Sequence, residues 1–241
     1  MRNRHVSGKP SYGQGMSYFV TGTDTGVGKT LVSCALLHAF AAGGKRVAGF
    51  KPIACGCDDD MQNEDTKRLL GAGNVSASHA QVNPYHFTQP VAPHIAAANA
   101  GVCIDFGRII ASYRELSAQA DTVIVEGVGG FRVPLSETHD TADLAVALGL
   151  PVIMVAGMRL GCLNHALLTV RAITDCGLEC AAWVANVTCE DMAALPENIA
   201  ALRQRIPAPL LGVIPFQPGL DPRDAAGRLN LEGLRAHGAY G

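Results

Sequence analysis

Gly28-Lys29-Thr30 stands between a short apolar run with its Gly/Thr turn (residues 18–27) and a long, largely apolar stretch over 31–42. Strand, glycine turn, GK[ST] and helix is the order that holds nucleotide phosphates. The turn's backbone N–H groups and the free N–H groups of the helix start face the anion together. In that arrangement Lys29 reaches the β- and γ-phosphates and Thr30 places its hydroxyl on Mg²⁺. The spacing departs from the strict pattern. Thr23 occupies the position five before Gly28, and the glycine comes one residue earlier, at Gly22. The stretch therefore reads as a P-loop variant with one extra residue, against the bland alternative of a chance GKT after a strand.

Two further groups are placed for the same chemistry. Glu126 ends the apolar run 122–126 (TVIVE) just before Gly127-Val128-Gly129. A carboxylate there suits Mg²⁺, held directly or through water. Lys51 ends the run 46–51 (RVAGFK). Each has an ordinary alternative, a solvated strand-end carboxylate and a surface lysine, but a cation and an anion aimed at one phosphate site support each other.

The elements that must carry these groups alternate along the chain. Strands are expected at 18–20, 46–51, 122–126, 151–156, 180–186 and 210–214. Helical spacing covers 31–42, 64–70, 90–100, 105–118, 141–148, 162–176 and 196–205. Strands this uniformly apolar, separated by helices, predict a doubly wound α/β fold: a mostly parallel sheet covered on both faces, with right-handed crossovers. Ligands bind such a sheet at the carboxyl ends of its strands, where the P-loop, Lys51, Glu126, Gly157, Asn186 and Pro215 all fall.

Composition bounds the rest. At 241 residues, a single domain over 16–241 is the simplest count, preceded by a polar, glycine-bearing extension at 1–15 that reads as a mobile tail without a secretory h-region. Met16 is a plausible alternative start. With 19 Lys+Arg against 21 Asp+Glu the net charge is −2, which gives no electrostatic footprint for nucleic acid. Apolar residues make up 48%, yet no run of about 18 is unbroken, so no membrane span is expected. Eight cysteines are scattered without CxxC spacing, which favours reduced thiols and a cytoplasmic setting over disulfides or zinc.

Taken together, GTDTGVGKT (22–30), GFKPIACG (49–56), Asn83-Pro84-Tyr85, Ala92-Pro93-His94-Ile95, VEGVGG (125–130), LGCLNH (160–165), WVAN (183–186) and IPAPLLG (206–212) stand in the order found in dethiobiotin synthetases. From about Ser17 to Pro215 the chain resembles that family, a P-loop ligase of biotin biosynthesis. The resemblance implies ATP- and Mg²⁺-dependent ring closure of 7,8-diaminononanoate with CO₂, through a carbamate and a carbamic-phosphoric anhydride, with release of ADP and phosphate. It also implies a homodimer that binds neither nucleic acid nor membrane.

The resemblance further assigns roles residue by residue. Lys29, Lys51 and Thr25 face the reacting groups. Gly26, Val27, Gly28, Lys29, Thr30 and Leu31 cradle the nucleotide phosphates. Thr30, Asp65 and Glu126 form the Mg²⁺ set, with Gly127, Val128 and Gly129 beside them. Asn186 reads the base through its amide, assisted by Val187, Pro215, Phe216 and Gln217. Cys55 contacts the substrate, whose remote carboxylate is met by Gly161, Cys162, Leu163 and Asn164 across a two-fold interface, at a helix start with free N–H groups.

The chain departs from the family at identifiable places. Cys55 stands where a Ser or Thr is usual, leaving open whether the thiol donates to substrate or only fills the wall. Gly26 replaces a residue that some relatives charge, and Asn198 falls where some offer a tyrosine to the substrate tail. His94 could act as a general base, although a supporting role suits the motif better. A partitioning-type ATPase shares the expected fold, but its signature lysine would fall at Asp24, and residues 230–237 are too short and glycine-broken for a membrane-targeting helix. A glutamine-hydrolysing synthase would need a further domain, for which no length remains. A nucleotide-binding scaffold without activity is disfavoured by the intact set of charged groups.

Overall fold

Six parallel strands build the central sheet: β1 (Tyr18–Gly22), β2 (Val47–Phe50), β5 (Thr122–Gly130), β6 (Val152–Met158), β7 (Cys180–Val187) and β8 (Leu210–Ile214). Their order across the sheet is β2-β5-β1-β6-β7-β8. The computed structural model describes residues 16–58, 60 and 62–234. The tail expected at 1–15 and the end of the 230–237 stretch lie outside the described residues.

Successive side chains on each strand serve opposite faces, which is why the strands are apolar throughout. Phe19, Val123, Val125, Met154 and Trp183 enter one core, packed under α5 (Phe106–Ser117), α6 (Thr141–Leu148), α7 (Cys162–Asp175) and α8 (Leu195–Arg205). Tyr18, Val20, Ile124, Ile153 and Val184 enter the other, under α1 (Lys29–Ala42), α2 (Glu64–Ala72) and α9 (Pro222–Ala226). Two separate cores on alternate residues are the period-2 pattern of a sheet covered on both sides. Caps place the helices: Asn63 accepts from Asp65 N to start α2, and Asp140 forms a capping box with Asp143 to start α6.

A second, two-stranded parallel sheet joins β3 (Ile53–Cys55) to β4 (Tyr85–Phe87). Its neighbours are the one-turn α3 (His79–Val82) and α4 (Pro93–Asn99). Asn83, fully buried, donates through Nδ2 to Lys51 O (2.6 Å) and Tyr85 O (3.0 Å), and Lys51 N donates to Val82 O. These bonds fix the backbone where β2 ends.

Three expectations change. β5 does not stop at Glu126 but continues through the glycine run to Gly130, which pairs with Gly22. Absence of a side chain permits this, since a Cβ on Gly127 would lie 3.1 Å from the Phe19 ring. The helix expected over 90–100 begins only at Pro93, after bends at Thr88, Gln89 and Val91, with Pro93 at its first position where a missing N–H costs nothing. The small sheet, α3 and α9 are additions. Among the described residues no helix is long and apolar enough to cross a membrane.

Candidate active site

The P-loop is held by one buried side chain. Val27, 1% exposed, wedges between β1 and β6: a Cβ on Gly22 or Gly157 would come within 2.6 Å of its methyl groups. Val27 thus supplies an apolar anchor for the loop, and only its backbone remains for a ligand. Gly28 follows with φ 87°, a left-handed turn that delivers Lys29 as the first residue of α1. Thr23 Oγ1 accepts from Gly157 N (3.1 Å), and Asp24 pairs with Arg159 at the rim.

Four charged groups meet beside this loop: Lys29 at the start of α1, Lys51 just after β2, Glu126 on β5 and Asp65 at the start of α2. Lys51, 4% exposed, places its ammonium 2.5 Å from Glu126 Oε1 and 3.1 Å from Asp65 Oδ2. Thr30 Oγ1 donates to the same Glu126 oxygen at 2.9 Å. Glu126 itself is fully buried, and its Oε2 has no hydrogen-bond partner among the described residues. Lys29 Nζ donates to Asp24 O at 3.2 Å.

Burial alone would lower the Lys51 ammonium, but Glu126 and Asp65 outweigh it and hold the group above its ordinary value. Burial likewise works to raise Asp65, and Lys51 more than reverses it. Lys29 goes the other way: desolvation first, then the nearby Lys51 charge, bring it down to about 8. An anion beside Lys29 would restore the full charge.

These groups line a cleft of about 700 Å³. Of the residues singled out by sequence, Thr25, Gly26, Gly28, Lys29, Thr30, Leu31, Lys51, Cys55, Asp65, Glu126, Val128 and Gly129 face it. Cys55 is half-buried in its wall, on β3, with its thiol pushed up to about 11, chiefly by burial. Thr25 closes on Gly129, where a Cβ would lie 3.4 Å from its hydroxyl. Arg68, Pro90, Val91 and Val133 also face the cleft and were not singled out. Arg68 had a signal: it stands one turn after Asp65 on α2, on the same helix face.

The other candidates lie elsewhere. Asn186 ends β7 behind the P-loop and donates through Nδ2 to Val27 O at 2.8 Å. One N–H of that amide is therefore committed, which leaves the second N–H and Oδ1 for a base. Val187 is buried. Pro215, Phe216 and Gln217 follow β8, whose Ile214 pairs with Asn186, so they stand at the same edge; Phe216 is 41% exposed. Gly161, Leu163 and Asn164 start α7 beyond the end of β6, outside the cleft. The Cys162 side chain points into the core at 2% exposure, which leaves its backbone, at the start of α7, for contact with a ligand. The residue before them, Leu160, is completely exposed. His94 does not line the cleft, and its Nδ1 is enclosed without a partner among the described residues.

Comparison with known proteins identifies the family and the fold. A family model described as an AAA domain matches residues 16–224. The ATP-dependent dethiobiotin synthetase BioD of Aromatoleum aromaticum is 54% identical over 220 residues, covering 90% of this chain and 98% of its own length. That of Nitrosospira multiformis is 52% identical over 219 residues, covering 91% and 96%. Among solved structures, MinD in the MinC:MinD cell division complex of Aquifex aeolicus superposes with a TM-score of 0.53 at 16% identity, over 88% of this chain and 86% of that one. A ParA family ATPase of Chlorobium tepidum gives 0.50 at 16% identity, over 85% and 86%. At that identity the two structures share the fold alone. The long matches at half identity carry the assignment: the chain belongs to the ATP-dependent dethiobiotin synthetase family.

Proposed function

We propose that this protein closes the ureido ring of dethiobiotin from 7,8-diaminononanoate, CO₂ and ATP. The observation that carries the reading is the meeting of Lys29, Lys51, Glu126, Asp65 and Thr30 in one cleft. Phosphoryl transfer to a carbamate needs alignment and charge neutralisation rather than covalent help.

One amine of the substrate adds to CO₂, forming a C–N bond and losing a proton, to give a carbamate. A carbamate oxygen attacks the γ-phosphorus while the bond to the β-phosphate oxygen breaks, leaving ADP. The second amine attacks the carbonyl carbon and phosphate departs, closing the ring. The P-loop N–H groups and Lys29 hold the β- and γ-phosphates. Lys51 neutralises charge on the transferring group, and one such preorganised cation contributes about 3–4 kcal/mol of transition-state stabilisation. Thr25 and the Gly127 to Gly129 backbone orient the reacting ends.

Thr30, Asp65 and Glu126 fit a magnesium ion. Magnesium takes one or two carboxylates plus substrate phosphates rather than a full protein cage. Glu126 Oε2 is enclosed without a hydrogen bond, and among the described residues no cluster of three or more His, Cys, Asp or Glu could hold a metal alone. The ion supplies charge neutralisation on the phosphates. Asn186 Oδ1 accepts from an exocyclic amine on the base, with residues 215–217 closing over it. The exposed start of α7 reaches a partner's substrate in a homodimer. Eight free cysteines and the demand for ATP support a cytoplasmic setting.

The deciding experiment measures ADP release with and without 7,8-diaminononanoate and bicarbonate. Turnover that requires both and yields dethiobiotin supports the reading; ATP hydrolysis indifferent to the diamine overturns it.

A further inference from the structure

The Lys51 ammonium stands between Glu126 Oε1 and Asp65 Oδ2, and Thr30 Oγ1 donates to the same Glu126 oxygen. These three oxygens belong to the residues that fit magnesium. A divalent ion on Glu126 Oε1 and an ammonium on the same oxygen repel each other strongly in an enclosed site, where little water screens them. Only one of the two cations fits the cluster at a time.

Resting on the proposed magnesium ligation, we infer that the Lys51 ammonium is a resident counter-ion for the metal site, evicted into the cleft when a divalent cation arrives. In the metal-free protein it neutralises Glu126, fully buried, and Asp65, and so prevents a carboxylate pair from standing uncompensated. The backbone of Lys51 cannot move with it, because Lys51 N is bonded to Val82 O and Lys51 O to Asn83 Nδ2. The side chain can: its four-carbon stem is flexible, and it already borders the cleft. Metal arrival therefore does two things at once. It fills the site, and it turns the displaced ammonium toward the transferring phosphoryl group, so that Lys51 is in position only when the metal is bound. Lys29 offers a built-in comparison. It is a second buried cation in the same cleft, yet its ammonium bonds Asp24 O and has no hydrogen bond to either carboxylate.

Two measurements without nucleotide test this, neither of them activity. Mn²⁺ binding, read by the loss of its free electron-spin signal, should tighten at least about tenfold in Lys51→Met, while Lys29→Met changes it by less than about threefold. In ¹⁵N-lysine-labelled wild-type protein, the ammonium cross-peak assigned to Lys51 should shift or vanish on titration with Mg²⁺. Equal tightening in both variants would reduce the effect to general charge removal and overturn the inference, as would a Lys51 signal unmoved at saturating Mg²⁺. A Glu126→Gln chain separates the two levels. If Mn²⁺ binding with ADP present is indifferent to that change, the ligand reading itself fails. If it is lost there while Lys51→Met binds like wild type, only the eviction fails.

Discussion

Asn186 and Gly28 touch so closely that no side chain fits between them. A Cβ on Gly28 would lie 2.2 Å from Asn186 Nδ2, the same nitrogen that holds Val27 O. Gly28 also sits at φ 87°, where an L-residue costs about 1–2 kcal/mol. Gly28→Ala should therefore displace Asn186 and open the P-loop, weakening a fluorescent ATP analogue by at least about tenfold, or 1.4 kcal/mol. Gly26→Ala is the control. It shares a positive φ of 73° but meets nothing within 4 Å, so it should cost only backbone strain. Equal affinities for the two variants would count against the Asn186 contact.

Lys51→Ala should lower kcat by at least about a hundredfold, the usual effect of removing a preorganised charge. The structure adds a second expectation. Glu126 loses its ammonium partner in a fully buried position, and breaking such a pair costs about 3–5 kcal/mol. The melting temperature should fall with the activity, as a calorimetric scan would report. A variant with near-normal turnover would remove Lys51 from the chemistry.

Cys55 offers a readout of the cleft wall. With its thiol near 11, only about one part in a thousand is thiolate at pH 8, so iodoacetamide should label it slowly and ever faster toward pH 10. Exposed Cys103 should react first. Bound diamine should slow Cys55 labelling if the thiol borders substrate; equal rates would place it outside. Cys55→Ser should keep or lower KM for the diamine when the thiol only fills space, and a loss of activity would show that sulfur is required.

The α7 start should act in trans. Leu160, just before α7, is wholly exposed and Leu168, on α7, is 61% exposed. Both suit an isologous contact with a second copy. A Lys29→Ala chain and a Gly161→Trp chain, each inactive alone, should recover activity when mixed, up to about one working site per mixed dimer. Proven subunit exchange without recovery would confine the whole site to one chain. Gly161 is the position to alter, since Cys162 is buried and a bulky replacement there would disturb the core.

The main sheet was legible because its strands are short, apolar and bounded. Leu210–Ile214 and Thr141–Leu148 fall where periodicity and caps put them. β3 and β4 were not legible: three residues each, they lie among Pro52, Pro84 and Pro90 and carry no period. Glycine misled once, at 127–130, where it looked like the end of a strand and is instead what lets β5 pass Phe19 and pair with Gly22. In the site, Lys29, Thr30, Lys51 and Glu126 announced themselves by type and position. That one N–H of the Asn186 amide holds the P-loop could not be read, because its partner, Val27 O, is 159 residues away in the chain. Arg68 was passed over for a different reason: its neighbours Glu64 and Lys67 made it look like one more charge on a solvated helix.

The insertion of β5 between β2 and β1 has an electrical consequence. It sets Glu126 among the two lysines, so that Lys29 and Lys51 are balanced by Glu126 and Asp65, while Asp24 with Arg159 and Glu64 with Arg68 cancel at the rim. By formal charge these side chains thus cancel, although the cleft is built for a polyphosphate. Side-chain charge then adds little long-range attraction, and the P-loop N–H groups at the start of α1 act on ATP at close range. Its association rate should stay nearly flat from low to physiological ionic strength, where a basic funnel would show a steep decline.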